Sequence, residues 1–160
     1  MDPQLLHLRL NHLPVVGALW TLAFLVFALF RPSASRAKLA LALTVVLAGT
    51  VVLAYLTGGP AEEKIEHLAG VVEPAIGAHE EAADVALGFG IGVGVIGLAG
   101  LWAVTRDRGR WVRLALVAAA LGVAAESAVL ALTAHRGGLV HRPELGAGGA
   151  SPAAEHQDQD

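Results

Sequence analysis

The sequence predicts an all-α integral membrane protein, a four-helix bundle with a short outer-side helix between spans two and three. Of its 160 residues, 55% are hydrophobic and only 16% are charged, and a mean hydropathy of +0.61 is too apolar for an ordinary soluble domain. No Asp, Glu, Lys or Arg occurs between Arg9 and Arg31, between Lys38 and Glu62, or between Asp84 and Arg106, and 114–133 carries only Glu126. Each stretch meets the need for roughly 20 apolar residues to cross a hydrocarbon core about 30 Å thick. Spans are therefore expected near 13–30, 39–56, 85–104 and 113–134. Strands are not, because an open sheet leaves backbone groups unsatisfied in lipid.

The third observation is sidedness. Seven of the eleven basic residues fall in two short loops, Arg31, Arg36 and Lys38 in one and Arg106, Arg108, Arg110 and Arg113 in the other. The positive-inside rule makes these loops cytoplasmic and puts both termini and the long middle loop outside, as expected for a multi-pass protein of the bacterial cytoplasmic membrane. Ser33-Ala34-Ser35 is not read as a signal-peptide cleavage site, since no basic segment precedes the apolar run and Arg31 interrupts the approach. The chain has no cysteine, which excludes disulfides, cysteine-held clusters and thiolate chemistry within it.

Taken in order, span one opens at Asn11-His12-Leu13-Pro14, a pattern that looks like a capped helix start. Gly58-Gly59-Pro60 punctuates the end of span two, and Pro60 with Glu62 and Glu63 suits the first turn of a new short helix that Gly70 would stop. Glu73-Pro74 starts another helix expected to run without a break into span three. That span carries Gly88, Gly90, Gly92, Gly94, Gly97 and Gly100. Close helix packing is preferred over a direct cofactor groove for them, because small residues are the usual way membrane helices associate. Span four ends where Gly137-Gly138 would stop it. Residues 1–145 form the four-span membrane domain, and 146–160, rich in Gly, Ala, Ser, Gln and Asp, are expected to be a disordered outer-side tail.

All seven histidines, His7, His12, His67, His79, His135, His141 and His156, fall on the expected outer side, with twelve of the fourteen acids. Glu63, Glu66 and His67 share one helical face at i, i+3 and i+4. His79 lies in line with Ala82, Ala83, Ala86 and Gly90, the small-residue side that faces the bundle, and His135 sits in the last turn of span four. His12, His67, His79 and His135 are the candidate cofactor ligands, and His12, Glu63, His67, His79 and His135 the candidate metal set. Helix capping and headgroup bonding are the alternative roles for these histidines, and a solvated outer surface is the alternative for the acids. Glu126, near mid-span, must be protonated, paired or turned to a polar interior. Nine residues place it half a turn out of phase with His135, which leaves a proton-handling role or a hydrogen-bonded packing role with Ser127 or a neighbouring helix.

Three segments carry a likeness: Leu6-His7 through Asn11-His12-Leu13-Pro14; Leu56-Thr57-Gly58-Gly59-Pro60-Ala61-Glu62-Glu63 through His67 and His79-Glu80-Glu81-Ala82-Ala83; and His135-Arg136-Gly137-Gly138-Leu139-Val140-His141. Together they resemble an uncharacterised family of four-span bacterial membrane proteins, a domain of unknown function, over roughly residues 5–145. Some relatives of that kind are joined to Rieske iron-sulfur domains, which implies electron transfer at the outer face. After the double glycine, His141 stands one residue away from the family's pattern.

The first functional expectation is a small membrane cytochrome that holds haem b through His79 and His135 and passes electrons between a quinol pool and an outer-side partner. Arg136 or Arg142 would meet the propionates, while the nearby glutamates oppose them. The alternatives are a non-haem iron or zinc site of mixed histidine and carboxylate ligands, and a cofactor-free accessory subunit packing into a larger complex through span three. No phosphate-binding glycine loop, Gly-x-Ser-x-Gly or His-Glu-x-x-His occurs, and the loop arginines are explained by topology without nucleic acid.

Overall fold

A computed structural model describes residues 2–65 and 73–140. The protein is an all-α, multi-pass membrane protein with four helical spans, and among the described residues there is no strand. The elements are α1 (Pro3–Leu10), α2 (His12–Phe30), α3 (Ala34–Ile65), α4 (Glu73–Thr105) and α5 (Gly109–Leu139). α1 and α2 together make the first apolar stretch, and α3, α4 and α5 the other three.

Local chemistry sets the ends. Asp2 caps α1 by accepting a 3.0 Å bond from the Gln4 N–H, with Pro3 in the first turn. Asn11 makes no capping bond and keeps helical dihedrals. The true cap of the first helical stretch is therefore Asp2, and His12 follows a slight break rather than a capped start. Ser33 opens α3, its Oγ accepting from the Arg36 N–H at 3.2 Å. At the other turn Asp107 adopts φ 51, while the Arg108 N–H reaches the Ala103 carbonyl (3.0 Å) and the Asp107 N–H that of Val104 (3.2 Å). This paired pattern terminates α4 with a left-handed residue.

Two expected boundaries move. α3 does not stop at Gly58-Gly59-Pro60 but runs on to Ile65 with Pro60 inside it, so residues 60–65 extend span two instead of beginning a separate helix. Pro60 has no N–H to give the Leu56 carbonyl, yet the following Ala61 is buried, which keeps the extension packed. α5 likewise passes through Gly137-Gly138 to Leu139. The start of α4 at Glu73 and its unbroken run into span three are as expected. Gly70 and the 146–160 tail lie outside the described residues.

The bundle is held by small side chains. Ala18, Ala28, Ala37, Ala40, Ala86 and Ala119 line its core with Leu25, Leu41, Leu47, Val93 and Val123, while Trp20, Phe30 and Leu121 face outward. α3 and α4 approach closely along the glycine stripe. A methyl group on Gly90 would lie 2.9 Å from Val51, on Gly94 2.8 Å from Ala48, on Gly97 2.9 Å from Val45, and on Gly100 2.7 Å from Leu41. These glycines are occupied by α3, which is the close-packing role rather than a cofactor groove. Gly88 and Gly92 face open space. At the arginine-rich end, Arg106 lies over Trp102 (5.7 Å) and Arg110 over Trp111 (5.9 Å), an arrangement suited to the membrane interface.

Candidate functional site

Antiparallel threading brings the four described histidines to one end of the bundle: His7 on α1, His12 at the start of α2, His79 near the start of α4 and His135 near the end of α5. The arginine-rich turns, 31–33 and 106–108, are at the other end.

His79 is the most constrained. Its Nδ1 lies 3.0 Å from the Thr133 carbonyl oxygen, which can only accept, so Nδ1 carries the proton and Nε2 is left as the ring's lone-pair donor. The ring rests against Gly137, where a methyl group would come within 3.0 Å of the imidazole Cε1. Two further bonds join the same turns of α4 and α5. Thr133 Oγ1 donates to the Ala82 carbonyl (3.1 Å), and Arg136 Nη1 to that of Ala78 (2.9 Å).

His7 is its counterpart on α1. Its Nδ1 lies 3.1 Å from Thr57 Oγ1. The Thr57 hydroxyl spends its own proton on the Leu53 and Ala54 carbonyls, at 3.1 and 2.9 Å, so it accepts from His7 and again leaves Nε2 free. His7 is half-buried. Lys64 pairs with Asp2 at 3.1 Å, tying the start of α1 to the end of α3.

The expected ligands are therefore sorted. His79 is oriented toward the bundle, whereas His12, His135 and Glu63 are exposed. His135, two residues from Gly137, is about 200° round α5 from the surface that meets His79. His67, Glu66, His141, Arg142 and His156 lie outside the described residues. Among the described residues no three His, Asp or Glu side chains stand together as a metal site. Tyr55 donates to Asp84 at 2.8 Å across α3 and α4.

Glu126 is remote from this end and fully enclosed. It is 0% exposed, both carboxyl oxygens lack a hydrogen-bond partner, and Oε1 lies 3.2 Å from where a methyl group on Gly90 would be. Ser127 donates to the Val123 carbonyl instead (2.7 Å).

No family model, curated protein or solved structure matches the chain.

The His7–Thr57 contact is the feature of this end that the sequence does not reveal. The overlooked signal is the Asp2-Pro3 start, which marks a separate capped helix able to carry His7 back onto α3.

Proposed function

We propose that the protein is a membrane redox protein that holds haem b at the outer face and passes electrons between the quinol pool and an outer-side protein partner. The observation that carries this is the matched pair His7 and His79, each tethered through Nδ1 to an oxygen acceptor. Such tethering fixes tautomer and ring direction and raises the basicity of the opposite nitrogen, as in histidines that ligate metals. Each imidazole keeps Nε2 as a donor nitrogen that would hold a haem iron, and when bound the haem would supply one-electron chemistry. Placing the arginine-rich turns in the cytoplasm sets the histidines and both termini outside a bacterial inner membrane. The likeness of the histidine-bearing segments to a family some of whose members are joined to Rieske domains points the same way.

The residues act here by position. Thr133 and Thr57 hold the imidazoles, Gly137 gives His79 room, and Arg136, engaged with the Ala78 carbonyl, braces α4 against α5. The test is an absorption spectrum of purified full-length protein, oxidised and dithionite-reduced, with metal analysis of the same sample. Sharp reduced bands of six-coordinate haem b are expected. A colourless protein with stoichiometric iron or zinc would replace this proposal with the non-haem site, and one with neither would leave the accessory-subunit role.

A further inference from the structure

The carboxyl of Glu126 is a polar group that the histidine site does not use. It sits where α5 meets α3 and α4, against Val51 and the backbone of Gly90, and is completely closed off. Hydrogen bonding does not explain it. Both oxygens are without partners, and the hydroxyl of the adjacent Ser127 bonds the Val123 carbonyl of its own helix. Nor is it ion-paired. In 13–30, 39–61 and 85–105 of the facing helices there is no Asp, Glu, Lys, Arg or His, and in 114–134 of its own helix there is only Glu126 itself. The titratable groups nearest along the facing helices are Tyr55 and Asp84, already bonded to each other. His79 is anchored to Thr133, which is seven residues, or about 10 Å, further along α5.

A buried polar group without a partner is destabilising, more so when charged, and a packing role is served better by Leu or Met at that position. The fit around Gly90 decides what the carboxyl can bind. A single methyl group there would already be 2.9 Å from Val51 and 3.2 Å from Glu126 Oε1, so an organic cation has no room. Among the described residues no group of three His, Asp or Glu side chains stands ready for a metal ion.

We propose that Glu126 is an intramembrane proton-binding site, an exchangeable carboxyl that takes up and releases one proton within the bundle. On release the O–H bond breaks, its electron pair stays on the carboxylate and the proton passes to bulk water. On uptake the steps reverse. The carboxyl is fully enclosed, so exchange proceeds through transient opening of the contact between α4 and α5. The inference stands whether or not a haem is bound.

The experiment is reaction of the full-length protein in lipid nanodiscs with dicyclohexylcarbodiimide, which attacks protonated carboxyls in apolar surroundings, followed by intact-mass and peptide analysis. One adduct per chain on Glu126 is expected, absent from Glu126→Gln, with a rate that falls as the buffer is made more alkaline because only the protonated carboxyl reacts. No adduct on Glu126, a pH-independent rate, or equal labelling by a water-soluble carbodiimide would each overturn the proposal. Infrared spectra of the wild type, which need no variant to fold, give a second readout. A neutral carboxyl band that shifts in heavy water supports an exchangeable proton, and one that never shifts overturns it.

Discussion

The imidazole of His79 and the bare backbone of Gly137 are matched surfaces: a methyl group on the glycine would reach within 3.0 Å of Cε1, while Nδ1 is held by the Thr133 carbonyl. The histidine cannot retreat without breaking that bond. Gly137→Ala should therefore displace His79 and cost about 1–3 kcal/mol as an overpacking change. Gly138→Ala, with nothing within 4 Å, should instead gain about 0.5–1 kcal/mol from helix propensity. Thermal unfolding in detergent distinguishes them. Equal effects of the two substitutions would show that the close approach at 137 is not a constraint.

Replacing the two tethered imidazoles tests the ligand assignment. His7→Ala and His79→Ala should each reduce cofactor retention by at least about tenfold, since loss of one axial ligand leaves an open coordination position. His12→Ala and His135→Ala, both at exposed positions, should retain the wild-type content. The reduced difference spectrum reads all four, and loss confined to His135→Ala would return the axial role to that residue.

Topology is open to direct labelling because the chain has no native cysteine. A thiol introduced by Glu63→Cys should react with an impermeant maleimide from the outer side of intact cells, and one introduced by Arg108→Cys only after permeabilisation. The opposite pattern would invert the bundle and place the histidines in the cytoplasm.

The clasp between α1 and α3 should depend on pH. The hydrogen bond from Lys64 holds the Asp2 carboxyl below its ordinary value of 3.8. A folded-state carboxyl lowered in this way contributes fully above the ordinary value, and its contribution disappears as pH falls through the lowered one. Amide exchange in α1 should therefore accelerate below about pH 4 and change less with acid in Asp2→Asn. Because the pair is exposed to solvent the effect is small, and global unfolding should not track it.

The spans were legible because charge is so costly in hydrocarbon that its absence between Arg9 and Arg31, or between Asp84 and Arg106, admits few alternatives. Glu73-Pro74 was legible for a local reason, a proline in the first turn of α4. The end of α3 was not. Gly58-Gly59-Pro60 obeys the local rules for a stop, and those rules are overridden where the chain beyond it still packs, as buried Ala61 does. Gly137 misled in the same way, resembling a helix terminator while making space for a ring 58 residues earlier in the chain. His7 was missed because its partner Thr57 lies 50 residues away, a separation at which neither periodicity nor spacing carries information.

Length gives the bundle one more property. α3 and α4 contain 32 and 33 residues, about 48–50 Å of helix against roughly 30 Å of hydrocarbon. The arginine-capped tryptophans moor one end at the headgroups, so the surplus stands at the other. The histidine end is thus a turret whose height is set by bilayer thickness: a thinner membrane lifts it into the water, and a thicker one draws it down among the lipids.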